Sequence, residues 1–387
     1  MVSPMFDKPS KKSDWQPQAI NIQTDQRAAY DDMREHCPVA YSDFLQWSVF
    51  RHQDVKEILL DHQRFSSKVS RHVSVPNGMD LPDHSIFRAL IEPYFSAERV
   101  ADFKPKCQAI ADELASKFSQ AKAVDIMADY AEPFAARLQC AFMGWSEDLA
   151  PQLLNWIKRS NNAVLAADRP ELSRLAKEFE QLIAEQLELR RNHPEIKDIT
   201  AELLQEVVDG RFLTNQEIAS ILRNWTVGEV GTIAASIGII AHFLATNSQV
   251  QQQLRAKPEL LWQANDEILR LHNPLTDNRR RTTCPVELGG QKIGSNQRIT
   301  INWIAANRDP EAFEKADQVI LDRDQSNNLL YGAGRHVCPG EGLARMELVV
   351  VTRCLLQYRQ NIRLQSEQPA QLATYPMSGY ATLPVRL

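Results

Sequence analysis

Apolar and polar positions follow two different periods along this chain, helical over most of its length and alternating near both ends. Residues 26–36 carry the helical pattern. Pro38 then opens an alternating run that predicts short strands over 39–41 and 47–50. Across 54–61, Val55, Ile58 and Leu59 return to one helical face. The segment 66–79, with Pro76, Asn77 and Gly78 among serines, predicts a loop long enough to carry function. Helical periodicity dominates from 83 to 272, broken at Gly144, 168–170, 193–194 and Gly210. Beyond Pro274 the texture changes: 286–288, 298–303 and 382–387 read as strands, and an apolar, helix-like run covers 343–358. Residues 1–25 form a polar arm with little capacity to fold alone. The expected architecture is one domain over 1–387, mainly α with small β-sheets.

Composition narrows the class without naming a function. With 43% hydrophobic and 24% charged residues, the 387-residue chain reads as an ordinary soluble globular protein. Its 44 basic and 49 acidic residues leave a net charge of −5, which implies no nucleic-acid partner. No stretch approaches the ~18 uninterrupted apolar residues of a membrane span, and the polar start lacks a signal-peptide core. Six cysteines, at 37, 107, 140, 284, 338 and 354, show no paired spacing. That argues for a reducing, cytoplasmic setting and against a disulfide framework or an iron–sulfur cluster.

The chemistry concentrates in ten residues, Tyr331-Gly332-Ala333-Gly334-Arg335-His336-Val337-Cys338-Pro339-Gly340. Gly332 and Gly334 permit a tight turn that brings backbone N–H groups near a sulfur. The helix that follows points its positive end at that sulfur and lowers the thiol pKa. A thiolate so held suits a metal, and in haem enzymes it pushes electron density into iron. A lone cysteine in a Gly-rich turn is usually just a buried thiol; the order of all ten residues sets this one apart.

This run resembles the haem-ligand loop of the cytochrome P450 family, with Tyr331 where phenylalanine is usual. The resemblance extends over about residues 35–387. It implies the cytochrome P450 fold, with haem b (iron protoporphyrin IX) between a long central helix at 221–246 and the Cys338 loop. Cys338 then becomes the axial ligand. His84 and Arg88, four apart on one helix face, match family positions that hold haem propionates, as do Arg280 and His336. Glu267, Arg270 and Arg323 match a buried structural network behind the haem. The central helix departs from pattern at Gly228-Glu229-Val230-Gly231-Thr232. Thr232 aligns with the threonine that serves dioxygen and protons, but Glu229 stands at a glycine position and Gly231 replaces the usual acid. Either Glu229 substitutes for that acid through water or water reaches the site through the gap left by Gly231, and the glycines favour a local bulge over the iron. The alternative is an ordinary helix threonine that bonds the carbonyl four residues back.

The resemblance further implies a lid from helical regions 147–167 and 172–191, and a pocket lined by Asn224, Val227, Gly228, Thr276, Asp277, Met377 and the 68–79 loop. Polar groups at Asn224, Thr276 and Asp277 suggest a small substrate with a polar handle, unless they satisfy one another. The reaction implied is insertion of one oxygen atom from dioxygen into a small organic substrate. Electrons would come from a ferredoxin or flavodoxin with its NAD(P)H reductase, docking near Arg335 and Arg345. A peroxide-driven variant and a non-catalytic haem-thiolate sensor are the alternative readings.

Overall fold

The structure, a computed structural model, describes residues 13–70, 72–119, 123–358 and 362–386. Its helices begin where polar side chains take up the amide hydrogens that a helix start leaves unpaired. The Asp25 carboxylate accepts from the Arg27 and Ala28 amides to open Gln26–His36, and Asp168 accepts from Glu171 to open Arg169–Asn192. Thr214 and Glu217 form a reciprocal capping box at the head of Asn215–Thr246. This central helix has 32 residues, about 48 Å at 1.5 Å per residue. It is long and apolar enough to cross a membrane, but 61% of its most apolar window is buried inside the protein. Ile233, Ile237, Ile240 and Leu244 place it in the main core. The helices Glu132–Met143, Leu261–Leu271 and Glu341–Tyr358 pack around it.

Five strands form the principal sheet, in the order Val39–Ser42, Gln46–Val49, Arg298–Asn302, Asp277–Thr282, Phe65–Ser66. Gln46–Val49 and Arg298–Asn302 run parallel; the other neighbours are antiparallel. Val49, Phe65, Ile299 and Ile301 bury a second core with Ile58, Trp303 and Leu329. Leu329 stands two residues before the cysteine loop, so this core anchors the loop's entry. Three strands, Arg363–Leu364, Pro384–Arg386 and Ala123–Asp125, join the two ends of the body.

The helix at 26–36 and the helix breaks fall where the periodicity puts them; other boundaries shift. The proposed arm is not free over 13–25: Trp15 is 7% exposed, edge-on to Phe50 at 5.3 Å. One buried indole outweighs its polar neighbours, and Ile20–Thr24 is helical; residues 1–12 lie outside the described residues. Asp277–Thr282 reads DNRRRT and has no strand pattern, yet it sits inside the sheet because strands on both sides supply ladder partners. The strand expected over 298–303 stops at Asn302, whose side chain caps the short helix Trp303–Asn307. The last expected strand, 382–387, divides into Tyr380–Thr382 and Pro384–Arg386, and Leu387 lies outside the described residues. Ala123–Asp125 is a strand inside the stretch read as helical.

Candidate active site

The loop before Glu341–Tyr358 is built on two left-handed glycines, Gly332 at φ +78° and Gly334 at φ +69°. A Cβ at Gly334 would lie 2.7 Å from the Leu59 carbonyl oxygen, so only glycine passes there. The Cys338 amide donates to the Tyr331 carbonyl at 2.8 Å, and the Gly340 amide points at the Cys338 sulfur. Cys338 is the exposed cysteine; Cys37 and Cys284 are half-buried and the other three are buried. Its exposed edge lies among protein on most sides, so burial pushes the thiol up to about 11, against the Gly340 N–H pulling it down. The sequence expectation was a lowered thiol pKa. One N–H does not offset the desolvation of a charge, and a bound metal cation would favour the thiolate.

On the central helix, Val227, Gly228, Gly231 and Thr232 share one face. Val227, Gly228 and Gly231 are exposed, and a Cβ at either glycine would meet no heavy atom within 4 Å. The Thr232 hydroxyl donates to the Gly228 carbonyl at 2.6 Å, the carbonyl four residues back. The expected bulge at these glycines is absent: the helix is unbroken from Asn215 to Thr246. The hydroxyl adds to the backbone ladder instead of opening it.

Glu229 does not present its carboxyl on that bare face. The carboxyl turns inward against Glu347 of the Glu341–Tyr358 helix, and burial pushes both acids up. Glu347 was missed in the sequence. Its signal was an acid inside the apolar run 343–358, nine residues past Cys338.

Four groups expected near one another do converge. The His84 and His336 rings lie 4.1 Å apart, and Arg88 donates to the Val337 carbonyl at 2.7 Å. Arg280 is 8% exposed and donates to the Arg279 carbonyl at 2.8 Å. Burial lowers Arg280 to about 10, with Asp80 opposing. Burial, then Arg280 and His84, lower His336 to about 3. The cluster gathers two guanidiniums and two imidazoles, with Arg88 also paired to Glu92 at 2.8 Å and Asp80 close by, and its donors suit two carboxylates.

Glu267, Arg270 and Arg323 also meet. The Glu267 carboxylate accepts from Arg270 at 2.8 Å, from Arg323 at 2.8 Å and from the Ile320 amide at 3.0 Å. Arg270 spends its remaining donors on the Asn307, Ala316 and Gln318 carbonyls, and both guanidiniums lie over the Phe313 ring.

The pocket assignments divide. Val227 (52% exposed) and Met377 (37%) are open, and Met377 bridges Leu275, itself 36% exposed. Thr276 and Asp277 turn away: Thr276 donates to the Pro376 carbonyl at 3.0 Å, and Asp277 is bound by Tyr375 and Thr276. Asn224 donates to the Val75 carbonyl at 3.0 Å, tying down the 68–79 loop. These polar groups satisfy the fold before any ligand. Arg345 is likewise engaged, with Asp266 at 2.7 Å and Glu341 at 2.5 Å, and it stacks on Trp262 and Tyr331. Arg335 is exposed.

A bare helix face, a lone accessible cysteine on a glycine loop and a cluster of cationic donors fit a haem: a flat ring, an iron ligand and two propionates. The class so defined is a haem-thiolate oxygenase. A family model described as "Cytochrome P450" matches residues 141–379, and the chain belongs to that family. It is 30% identical over 316 residues to a probable cytochrome P450 127A1 of Sinorhizobium fredii, covering 79% of this chain and 75% of that one. It is 27% identical to a linalool 8-monooxygenase of Pseudomonas putida, covering 80% and 82%. The solved structure of a mutant P450 EryK in complex with erythromycin B superposes with a TM-score of 0.86 over 94% of this chain and 97% of that one, at 22% identity. The protein is therefore a haem-binding monooxygenase that uses dioxygen, a small organic substrate and electrons from a redox partner.

Proposed function

We propose that Cys338 would supply the thiolate that holds the haem iron, that the open positions at Gly228 and Gly231 would leave room for the ring, and that Gly332 and Gly334 shape the ligand loop. The observation that carries this reading is that the one exposed cysteine stands on the family's ligand loop. Once bound, the haem supplies the activation of dioxygen and the oxidising power. The chain's own residues bind, orient and manage protons. His84, Arg88, Arg280 and His336 hold the propionates. The Thr232 hydroxyl, released from the Gly228 carbonyl, donates towards the oxygen side, and the Glu229 carboxyl backs it as proton source.

The propionate role carries a pH dependence. The folded, haem-free chain holds His336 near 3, against an ordinary value of about 6.5. The unfolded chain therefore binds the proton first, and stability is lost as pH falls from about 6.5 towards 3. Propionates beside His336 raise its affinity for a proton and shrink that loss. Thermal unfolding at pH 7 and pH 5 should show a larger drop for the haem-free chain than for the loaded one. Equal drops would remove the propionates from this cluster.

Because Asn224, Thr276 and Asp277 are spent on the fold, we read the pocket wall as apolar, formed by Val227, Leu275 and Met377. The substrate is then hydrophobic and oriented mainly by shape, in keeping with a relative named for linalool. A cavity of about 290 Å³ among Val73, Glu180, Ile183, Leu187 and Arg223 supports an entrance between the 68–79 loop and the Arg169–Asn192 helix, the second of the two lid helices. Optical titration of the ferric protein should give a saturable spin-state shift with linalool, steroids or fatty acids, and none with small polar acids. Tight binding confined to polar acids would overturn the apolar reading.

Electrons enter, on this reading, from a ferredoxin or flavodoxin of the cytoplasm that docks at Arg335 on the single domain. Reversal of that charge, Arg335→Glu, should slow reduction several-fold and flatten its salt dependence. An unchanged rate and salt slope would move the docking face elsewhere.

A further inference from the structure

Three aromatic rings surround Trp225 on the central helix: Phe95 at 5.3 Å, Tyr94 at 5.6 Å and Phe142 at 6.0 Å between centroids. One side of this group reaches the ligand loop. A Cβ at Gly340 would lie 3.7 Å from the Phe95 ring and 3.8 Å from the Cys338 sulfur, so ring and sulfur border the same small space. Trp225 also stands one helical turn before Gly228, at the separation that makes two positions neighbours on a helix surface. The other side of the group runs outward. The Tyr94 hydroxyl donates to Glu206 Oε1 at 2.7 Å. Glu206 leads into the hairpin of Val207–Val208 and Arg211–Phe212, where Val207 and Phe212 are exposed. Arg99 lies 4.9 Å over the Tyr94 ring and pairs with Glu202 at 2.6 Å. Two carboxylates and one guanidinium thus surround the phenol, a balance that favours positive charge on its ring.

Packing accounts for rings at these positions but not for their identity. Phenylalanine at 94 and 225 would fill a core of this kind, and a neutral acceptor would satisfy the buried hydroxyl as Glu206 does. Tryptophan and tyrosine differ from phenylalanine in giving up one electron to a strong oxidant. Burial, then Glu206, push the Tyr94 phenol up, so it keeps its proton at rest. Once its ring loses an electron the phenol becomes a strong acid, and a carboxylate is already in place to receive the proton.

We propose that Trp225 and Tyr94 relay electrons inward to the haem when it holds an oxidising equivalent that no substrate has taken, with Glu206 as proton acceptor and a small soluble thiol as final donor. The relay gives the protein a second activity, thiol oxidation in the absence of substrate, and spares the ligand loop from oxidation. It rests on the roles proposed above for Cys338 and for the open position at Gly228. Thiols are the reductants of a cytoplasmic setting. Tyr94 is 2% exposed, so the donor gives its electron at the hairpin side without entering the haem site.

In each passage Trp225 gives one electron to the haem and Tyr94 refills it. The phenolic O–H breaks, its proton joins the Glu206 carboxylate, and a neutral tyrosyl remains. A thiolate then gives one electron to the tyrosyl, and Glu206 returns the proton to the phenol oxygen. Two passages deliver two electrons; with two protons from water, the oxygen atom leaves as water and the two thiyl sulfurs join as a disulfide. The oxidant is the one that the established dioxygen chemistry generates.

The test uses the haem-loaded protein without substrate, with peracetic acid as oxidant and glutathione as thiol, beside Trp225→Phe, Tyr94→Phe, Glu206→Gln and Tyr331→Phe. Freeze-quenched samples lacking glutathione should give a tyrosyl radical by electron paramagnetic resonance. Tyr94→Phe should replace it with a tryptophanyl signal, and Trp225→Phe should lower it several-fold. Glu206→Gln should slow its appearance and raise its solvent isotope effect. With glutathione present, the haem of Trp225→Phe and of Tyr94→Phe should bleach several-fold faster than that of the starting protein. A tyrosyl signal that persists in Tyr94→Phe and is lost in Tyr331→Phe assigns the radical to the ligand loop and overturns the relay. Unchanged radical yield and bleaching in both Trp225→Phe and Tyr94→Phe overturn it as well, while the thiolate signature of the reduced carbon monoxide complex leaves the Cys338 reading intact. Absence of that signature in the unaltered protein overturns both.

Discussion

Cys338→Ser should remove monooxygenase activity, lowering turnover by more than about a hundredfold, the upper end of what losing even an outer-shell partner costs a metal site. Serine keeps the size and the loop geometry, so the Tyr331 carbonyl still accepts from residue 338 and the propionate cluster is untouched. What disappears is sulfur's electron donation to iron, the feature that favours O–O cleavage. The measurement is the absorbance of the reduced carbon monoxide complex beside product formation. The thiolate band should vanish while much of the haem stays bound through its propionates. Retained activity would require another cysteine as ligand. Of the other five, Cys107, Cys140 and Cys354 are buried and Cys37 and Cys284 half-buried, and burial pushes the Cys140 and Cys354 thiols up to about 12.

The second large effect falls on stability. Glu267→Gln should cost about 3–5 kcal/mol, the usual result of leaving one side of a buried pair uncompensated. Burial pushes the Glu267 carboxyl up, but Arg270 and Arg323 outweigh it and hold it below the ordinary range. An amide at this position satisfies neither guanidinium charge, and Arg270 and Glu267 are fully buried. Against a total of about 5–15 kcal/mol, the loss is large enough to leave the haem-free chain partly unfolded. Denaturant unfolding of that form should show a lower midpoint with little change in slope. The same linkage makes the network acid-sensitive: its contribution is complete above the ordinary glutamate range and fades as pH falls through the lowered value. The exposed pair Arg386–Glu367, 2.8 Å apart, is the internal control; cutting it should cost no more than about 1 kcal/mol. Equal effects at the two sites would mean that burial does not set the strength of the network.

Much of the site was legible because its chemistry sits in short local runs. The loop from Tyr331 to Gly340 specifies its own turn, since Gly332 and Gly334 need the left-handed region whatever surrounds them. His84 and Arg88 share a helix face by spacing alone, and Glu267 and Arg270 pair for the same reason. Helix limits followed from caps such as Asp25, Asp168 and Thr214. In each case the interaction spans a few residues, and periodicity reports it directly.

Other properties depended on what lies across a gap in sequence. Thr276 and Asp277 looked like pocket groups until Pro376 and Tyr375, about a hundred residues on, absorbed them. Arg345 is a basic residue of the proximal segment by sequence, and only the fold shows that it pairs with Asp266 and lies over Trp262. Asp277–Thr282 became a strand through partners at 298–302 and 65–66, its own residues arguing against it. Trp15 drew the proposed arm into the body by finding Phe50. Most consequential, Glu229 read as an acid near dioxygen, and its carboxyl instead meets Glu347, 118 positions away. By itself the sequence determined the family, the ligand loop and which residues are charged. The tertiary structure decided which of those charges are already neutralised, because a charge's partner is set by packing between distant segments while its identity is set by one codon.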